Sequence, residues 1–115
     1  TGGVFVVWHE SAKGELWFAQ KTGGVWTPEL LHRHSGGNLG ADCSIAWGNG
    51  LHVAYRNTVQ NDLWYAQRGT GGWSRRLVDS VGDVGRGVVV SVDGGDVWLA
   101  YRDHTNGDVK VVRNP

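Results

Sequence analysis

Sulfur is nearly missing from this 115-residue chain, which has one cysteine and no methionine. A lone cysteine excludes an internal disulfide, so the chain is not a disulfide-stapled mini-domain. Cys43 lies in the apolar run Cys43-Ser44-Ile45-Ala46-Trp47 and is expected to pack as a small hydrophobe rather than react as a thiolate. Net charge is missing too, because 11 Lys+Arg balance 11 Asp+Glu. No bulk positive field is left to grip nucleic acid, so no nucleic-acid partner is expected. No apolar run approaches the roughly 20 residues a helix needs to span a bilayer, so no membrane insertion is expected. The 19 glycines follow no three-residue period, which excludes collagen. Seven tryptophans and 40% hydrophobic residues exclude a disordered chain. The length fits one domain.

What the chain does have is a repeat. Leu16-Trp17-Phe18-Ala19-Gln20 returns as Leu63-Trp64-Tyr65-Ala66-Gln67, and Trp26 after two glycines returns as Trp73 after two glycines, both 47 residues on. Leu51-His52-Val53-Ala54-Tyr55-Arg56 returns 46 residues on as Val97-Trp98-Leu99-Ala100-Tyr101-Arg102. Val4 to His9 is a weaker copy of that second segment, and Val109 to Arg113 of the first. A unit of ~46 residues is the period of four-stranded propeller blades.

Each unit reads as four short strands rich in Val, Trp and Tyr, separated by turn residues. First strands are expected at 41–47 and 87–92, second strands at 4–9, 51–56 and 97–102, third strands at 15–20, 62–67 and 108–113, and fourth strands at 25–32 and 73–79. Gly-rich turns such as Gly48-Asn49-Gly50 and Asp93-Gly94-Gly95-Asp96 supply the positive φ that tight hairpins demand. No window carries a sustained 3.6-residue apolar period, so no substantial helix is expected. The expected fold is all-β: about 2.5 four-stranded antiparallel blades in a single partial propeller domain over 1–115, in pieces 1–34, 40–80 and 86–115. A propeller closes with four to eight blades. The ring is therefore expected to be incomplete, to be closed by homo-oligomerisation or by further blades of a longer chain.

The succession Tyr55-Arg56-Asn57 (again Tyr101-Arg102-Asp103), then Leu63-Trp64-Tyr65-Ala66, then Gly71-Gly72-Trp73 resembles the bacterial neuraminidase-repeat, or sialidase-like, propellers over almost the whole chain. The resemblance implies propeller blades; it also implies a choice among sialidases, other glycosidases, lectins and adhesion modules. The family's Ser-x-Asp-x-Gly-x-x-Trp box is missing from the third-to-fourth-strand turns. It is matched only by Ser91, Asp93, Gly95 and Trp98, at a first-to-second-strand turn, where it reads as turn chemistry.

Binding residues concentrate on longer loops held by a rigid scaffold. The longer connections here follow the second and fourth strands. On that face a basic residue and then an acid or amide follow an aromatic, as Trp8-His9-Glu10, Tyr55-Arg56-Asn57 and Tyr101-Arg102-Asp103. An aromatic plane beside a planar donor fork suits a sugar ring and its hydroxyls, and Arg also holds a carboxylate through two hydrogen bonds. The alternative is structural: the repeated base ties each hairpin to its neighbour by satisfying loop carbonyls. Trp47 and Trp98 are not matched by an aromatic in every copy, where Val92, Phe5 and His52 stand instead, and they join Trp8 as candidates for ligand stacking. Trp26 and Trp73 are expected to wedge between neighbouring blades, and Trp17 and Trp64 to pack.

No catalytic residue, metal ligand or cofactor is assigned. His32 and His34 share a strand face, but the second copy has Asp79-Ser80-Val81 there. Catalysis needs different roles from different blades, whereas the candidates here recur at equivalent positions. The expected function is a non-catalytic, lectin-like binding module for a glycan or glycoprotein, secreted or at a cell surface. The alternatives are a fragment of a sialidase-like glycosidase, and a structural or protein-interaction segment with no small ligand.

Overall fold

The computed structural model describes residues 3–115. They form ten strands: β1 (Val4–Glu10), β2 (Glu15–Thr22), β3 (Val25–His32), β4 (Leu39–Trp47), β5 (Leu51–Asn57), β6 (Asp62–Gly69), β7 (Gly72–Asp79), β8 (Val84–Asp93), β9 (Asp96–Asp103) and β10 (Asp108–Arg113). All pairings are antiparallel. They build three sheets in sequence order: β1-β2-β3, β4-β5-β6-β7 and β8-β9-β10. Each sheet is a meander of consecutive strands, and no helix is present among the described residues.

The middle sheet is packed on both faces, which is why β5 is buried from end to end. Its alternate residues serve different neighbours, as the two-residue period of a strand requires. Leu51, Val53 and Tyr55 join Leu16, Phe18 and Leu31 of the first sheet in one core. Ala54, with Leu63 and Tyr65 of β6, joins Val88, Val90, Leu99 and Tyr101 of the third sheet in the other. β4 sits against β1 on one side and β8 on the other. The molecule is a flat slab, 46 × 37 × 21 Å.

The β8–β9 hairpin turns through Gly94 (φ 56°) and Gly95 (φ 92°). Two consecutive left-handed residues match the twist of the flanking strands, and glycine adopts them without a Cβ penalty. β4 and β8 begin at Leu39 and Val84, earlier than the expected 41 and 87, because each opens with a bulge. Gly40 (φ 92°) and Gly85 (φ 98°) sit at those irregularities. A Cβ on Gly40 would lie 2.5 Å from Leu16 Cδ1. The remaining strands agree with the expected spans to within two residues.

Candidate functional site

The three aromatic-base-acid triplets lie at the ends of β1, β5 and β9, and each of their positions has its own structural task. The acid or amide caps the turn that follows it. Glu10 accepts hydrogen bonds from the backbone N–H of Ala12 (3.0 Å) and Lys13 (3.2 Å). Asn57 Oδ1 accepts from Val59 N and Asn38 N, both at 3.1 Å. Asp103 accepts from Asn106 N (3.2 Å) and Nδ2 (2.8 Å), and these bonds hold its carboxyl below the usual carboxylate range.

The base reaches forward to the next sheet. His9 Nδ1 donates to the Leu39 carbonyl at 2.7 Å. Arg56 Nε donates to the Val84 carbonyl at 3.2 Å, and its Nη2 to Asn61 Oδ1 (2.6 Å) and Asp83 Oδ1 (2.8 Å). Asp83 also pairs with Arg86 at 2.8 Å. Arg102, on the last sheet, is exposed and makes no ion pair among the described residues.

The aromatic reaches back to the preceding sheet. Tyr55 OH and His32 Nδ1 are hydrogen-bonded at 2.8 Å. Tyr101 OH donates to Asp79 Oδ2 at 2.8 Å, and Lys110 pairs with the same carboxylate at 3.1 Å. Burial raises both phenols above their ordinary range, and the Asp79 charge adds to the effect on Tyr101. Trp8 has no preceding sheet among the described residues; it is exposed and stacks on Trp17, with ring centroids 6.3 Å apart. Of the eleven candidate ligand residues, then, Tyr55, Arg56, Asn57, Tyr101 and Asp103 are buried, His9 and Glu10 are half-buried, and Trp8, Trp47, Trp98 and Arg102 are exposed.

Tyr101 and Arg102 border an open hollow of about 450 Å³ on the third sheet, with Val89, Ala100 and Val109. Further concave surface lies at the opposite end of the slab, beside the Gly-rich turns. A cleft of about 490 Å³ opens between the first and middle sheets, lined by Phe5 and Gln20 on one wall and by Trp47, Leu51 and Arg68 on the other. Trp47 is 56% exposed and lies parallel to Phe5, with centroids 5.8 Å apart and planes 2° from parallel. Arg68 reaches across to stack 5.1 Å from the Phe18 ring centroid and to pair with Glu29 at 3.2 Å.

The cleft recurs between the middle and third sheets. His52 and Gln67 stand where Phe5 and Gln20 stood; Val97 and Asn114 stand where Leu51 and Arg68 stood. This second copy is smaller, about 200 Å³. His52 is held there by two hydrogen bonds: Nε2 donates to the Gly48 carbonyl at 2.9 Å, and Nδ1 accepts from Tyr65 OH at 2.6 Å. The glutamines were within reach of the sequence, because Gln20 and Gln67 close the repeated Leu-Trp-aromatic-Ala-Gln segment.

Trp73 fills the seam beside the first cleft, edge-on to Phe18 at 5.2 Å, and its Nε1 donates to Glu29 at 3.1 Å. That is the wedge expected of it; its counterpart Trp26 is exposed, with Lys21 over its ring. Cys43 is half-buried, and burial pushes its thiol up. Among the described residues, no three His, Cys, Asp or Glu side chains gather as a metal set. No helix is long and apolar enough to cross a membrane. Comparison with family models, with curated proteins and with solved structures returns no match.

Proposed function

We propose that the three sheets are blades of a β-propeller, of the sialidase-like kind that the repeat resembles, and that the chain binds glycans without turning them over. The observation that carries this reading is the exposed Trp47 face, set beside Phe5, Gln20 and Arg68 in a cleft; the smaller cleft at the next sheet junction keeps the glutamine, as Gln67, but has no indole. An exposed indole presents an apolar plane to the C–H face of a sugar. The glutamine amides and the guanidinium supply donors and an acceptor for hydroxyls. Shallow sites repeated on one end of a molecule suit weak, multivalent recognition. Catalysis finds less support. A tyrosine nucleophile needs a lowered pKa or an adjacent base, whereas Tyr55 and Tyr101 are buried with raised pKa values, and both hydroxyls are engaged by groups that hold the fold together.

A glycan array followed by titration of tryptophan fluorescence tests the proposal. Trp47→Ala is expected to abolish or sharply weaken binding while leaving the far-ultraviolet spectrum unchanged. Failure of the parent chain to bind any glycan, or binding indifferent to Trp47→Ala and to Gln20→Ala, overturns it.

A further inference from the structure

The two junctions inside the chain use two different sheet faces, and one example of each is left bare. The forward face of the middle sheet covers the third sheet with Ala54, Leu63 and Tyr65, all buried. The same positions on the outward face of the third sheet, 46 residues on, are Ala100, Val109 and Val111. There Val109 is 77% exposed and Val111 60%. The backward face of the middle sheet covers the first sheet with Leu51, Val53 and Tyr55, at 4%, 0% and 0% exposure. The same positions on the outward face of the first sheet, 47 residues earlier, are Val4, Val6 and Trp8, and all three are exposed. Trp26 extends that patch. Its counterpart Trp73 lies against Phe18, and the position of Phe18 on the third sheet belongs to Val111.

We propose that the outward face of the third sheet docks on the outward face of the first sheet of a second copy, head to tail, as the sheets inside the chain do but without the leading strand that β4 and β8 supply there. Exposed apolar faces of this kind mark association surfaces. A bare forward face and a bare backward face are the two halves of one interface rather than two copies of the same half. The contact is heterologous, and such contacts close into rings when the rotation allows. Three sheets per copy bring two copies to six, the one multiple of three within the four to eight blades at which propellers close. Val111 of one copy then receives Trp26 of the other, and Val109 comes to the end of the face that carries Trp8.

Arg102 lies on this face beside Val109 but has no leading strand to bind. Its counterpart Arg56 binds the leading strand of the following sheet at the Val84 carbonyl, and the first sheet has no such strand among the described residues. At the turn end, Trp98 and Arg113 replace Phe5 and Gln20 and come to face Val4 and Lys21, which replace Leu51 and Arg68. The seam thereby carries a third cleft; this part rests on the glycan reading, and the count of six rests on the propeller reading, whereas the pairing of the two bare faces rests on neither.

Light scattering on the 115-residue chain without ligand tests the docking. The expected mass is twice the 12.5 kDa of one chain. Val6→Asp and Val111→Asp, each on an exposed face, are each expected to give a monomer with an unchanged far-ultraviolet spectrum. An equimolar mixture of the two variants keeps one intact forward face and one intact backward face, and is expected to recover a dimer. Arg102→Ala is expected to stay dimeric. A monomeric parent chain overturns the proposal. So does a dimer that survives either valine variant alone, or a mixture that stays monomeric, because these results belong to a symmetric face-to-itself contact or to none. Val109→Lys provides the same readout should Val111→Asp fail to fold. The glycan reading is judged separately, since both clefts within the chain remain in the monomeric variants.

Discussion

Arg56 and Arg102 occupy one position of the repeat, each at the same register on the second strand of its unit, yet only Arg56 is buried, 7% exposed and hydrogen-bonded to Val84, Asn61 and Asp83. Truncating it strands a buried carbonyl and leaves the Asp83 carboxylate with one cation instead of two. Arg56→Ala is expected to destabilise the fold by about 3 kcal/mol. Arg102→Ala is expected to change stability by less than about 0.5 kcal/mol. Urea unfolding of the two variants side by side checks the contrast. The sequence displayed both arginines in one motif but not the difference between them. That difference depends on whether another sheet follows, and a repeat read along the chain treats its copies as equivalent. The paired tasks of the triplet, aromatic backward and base forward, were hidden for the same reason.

His32 adds a pH dependence. Burial, reinforced by the Arg75 charge and then by His34, lowers its pKa from 6.5 to about 4. The folded chain keeps the ring neutral, hydrogen-bonded to Tyr55 OH, while the unfolded chain takes up a proton below pH 6.5. Stability is therefore full above pH 6.5 and declines as the pH falls toward 4, by about 3 kcal/mol at the lower end. Glu15, Asp79, Asp83, Asp96 and Asp103 have lowered pKa values, so their contribution is present above the ordinary carboxylate range and is lost at still lower pH. His32→Gln is expected to flatten the slope of melting temperature against pH between 4 and 6.5. An unchanged slope in that variant would place the dependence elsewhere.

At the scale of the element, β4 and β8 turn on their bulge glycines. Gly40 and Gly85 each hold a left-handed φ, and each faces the neighbouring sheet closely: Gly40 against Leu16, Gly85 against Leu63 and Arg56. Gly40→Ala combines backbone strain with a clash and is expected to cost about 2–3 kcal/mol; Gly85→Ala, with a nearest contact of 3.3 Å, is expected to cost about 1–2 kcal/mol. Thermal melts of the two variants give the comparison. Strand identity was legible from alternation and from the recurring Leu-Trp-aromatic-Ala-Gln and aromatic-base segments. The early starts of β4 and β8 were not. Leu39-Gly40 and Val84-Gly85 are a repeated pair 45 residues apart, shorter by one or two than the spacing of the other repeats, so a search at 46–47 passes over them. The clefts were equally hard to see. They lie between sheets at the short-turn end, whereas loop length pointed to the other end, where longer connections fold back and cap themselves through Glu10, Asn57 and Asp103.

At the scale of the whole molecule, no strand leaves its own sheet, and each sheet touches only the sheets next to it in sequence. Energy in such an array is a sum of unit terms and nearest-neighbour terms. The middle sheet has two neighbours and each end sheet has one, so opening begins at the ends. Amide hydrogen exchange on a monomeric variant is expected to show the slowest protons on β5 and β6 and faster ones on β1 and β10, with separate rather than global exchange at low denaturant. A single free energy of unfolding would then average over three melting units, and capping either end would raise protection in the sheet nearest the cap before it reached the far one.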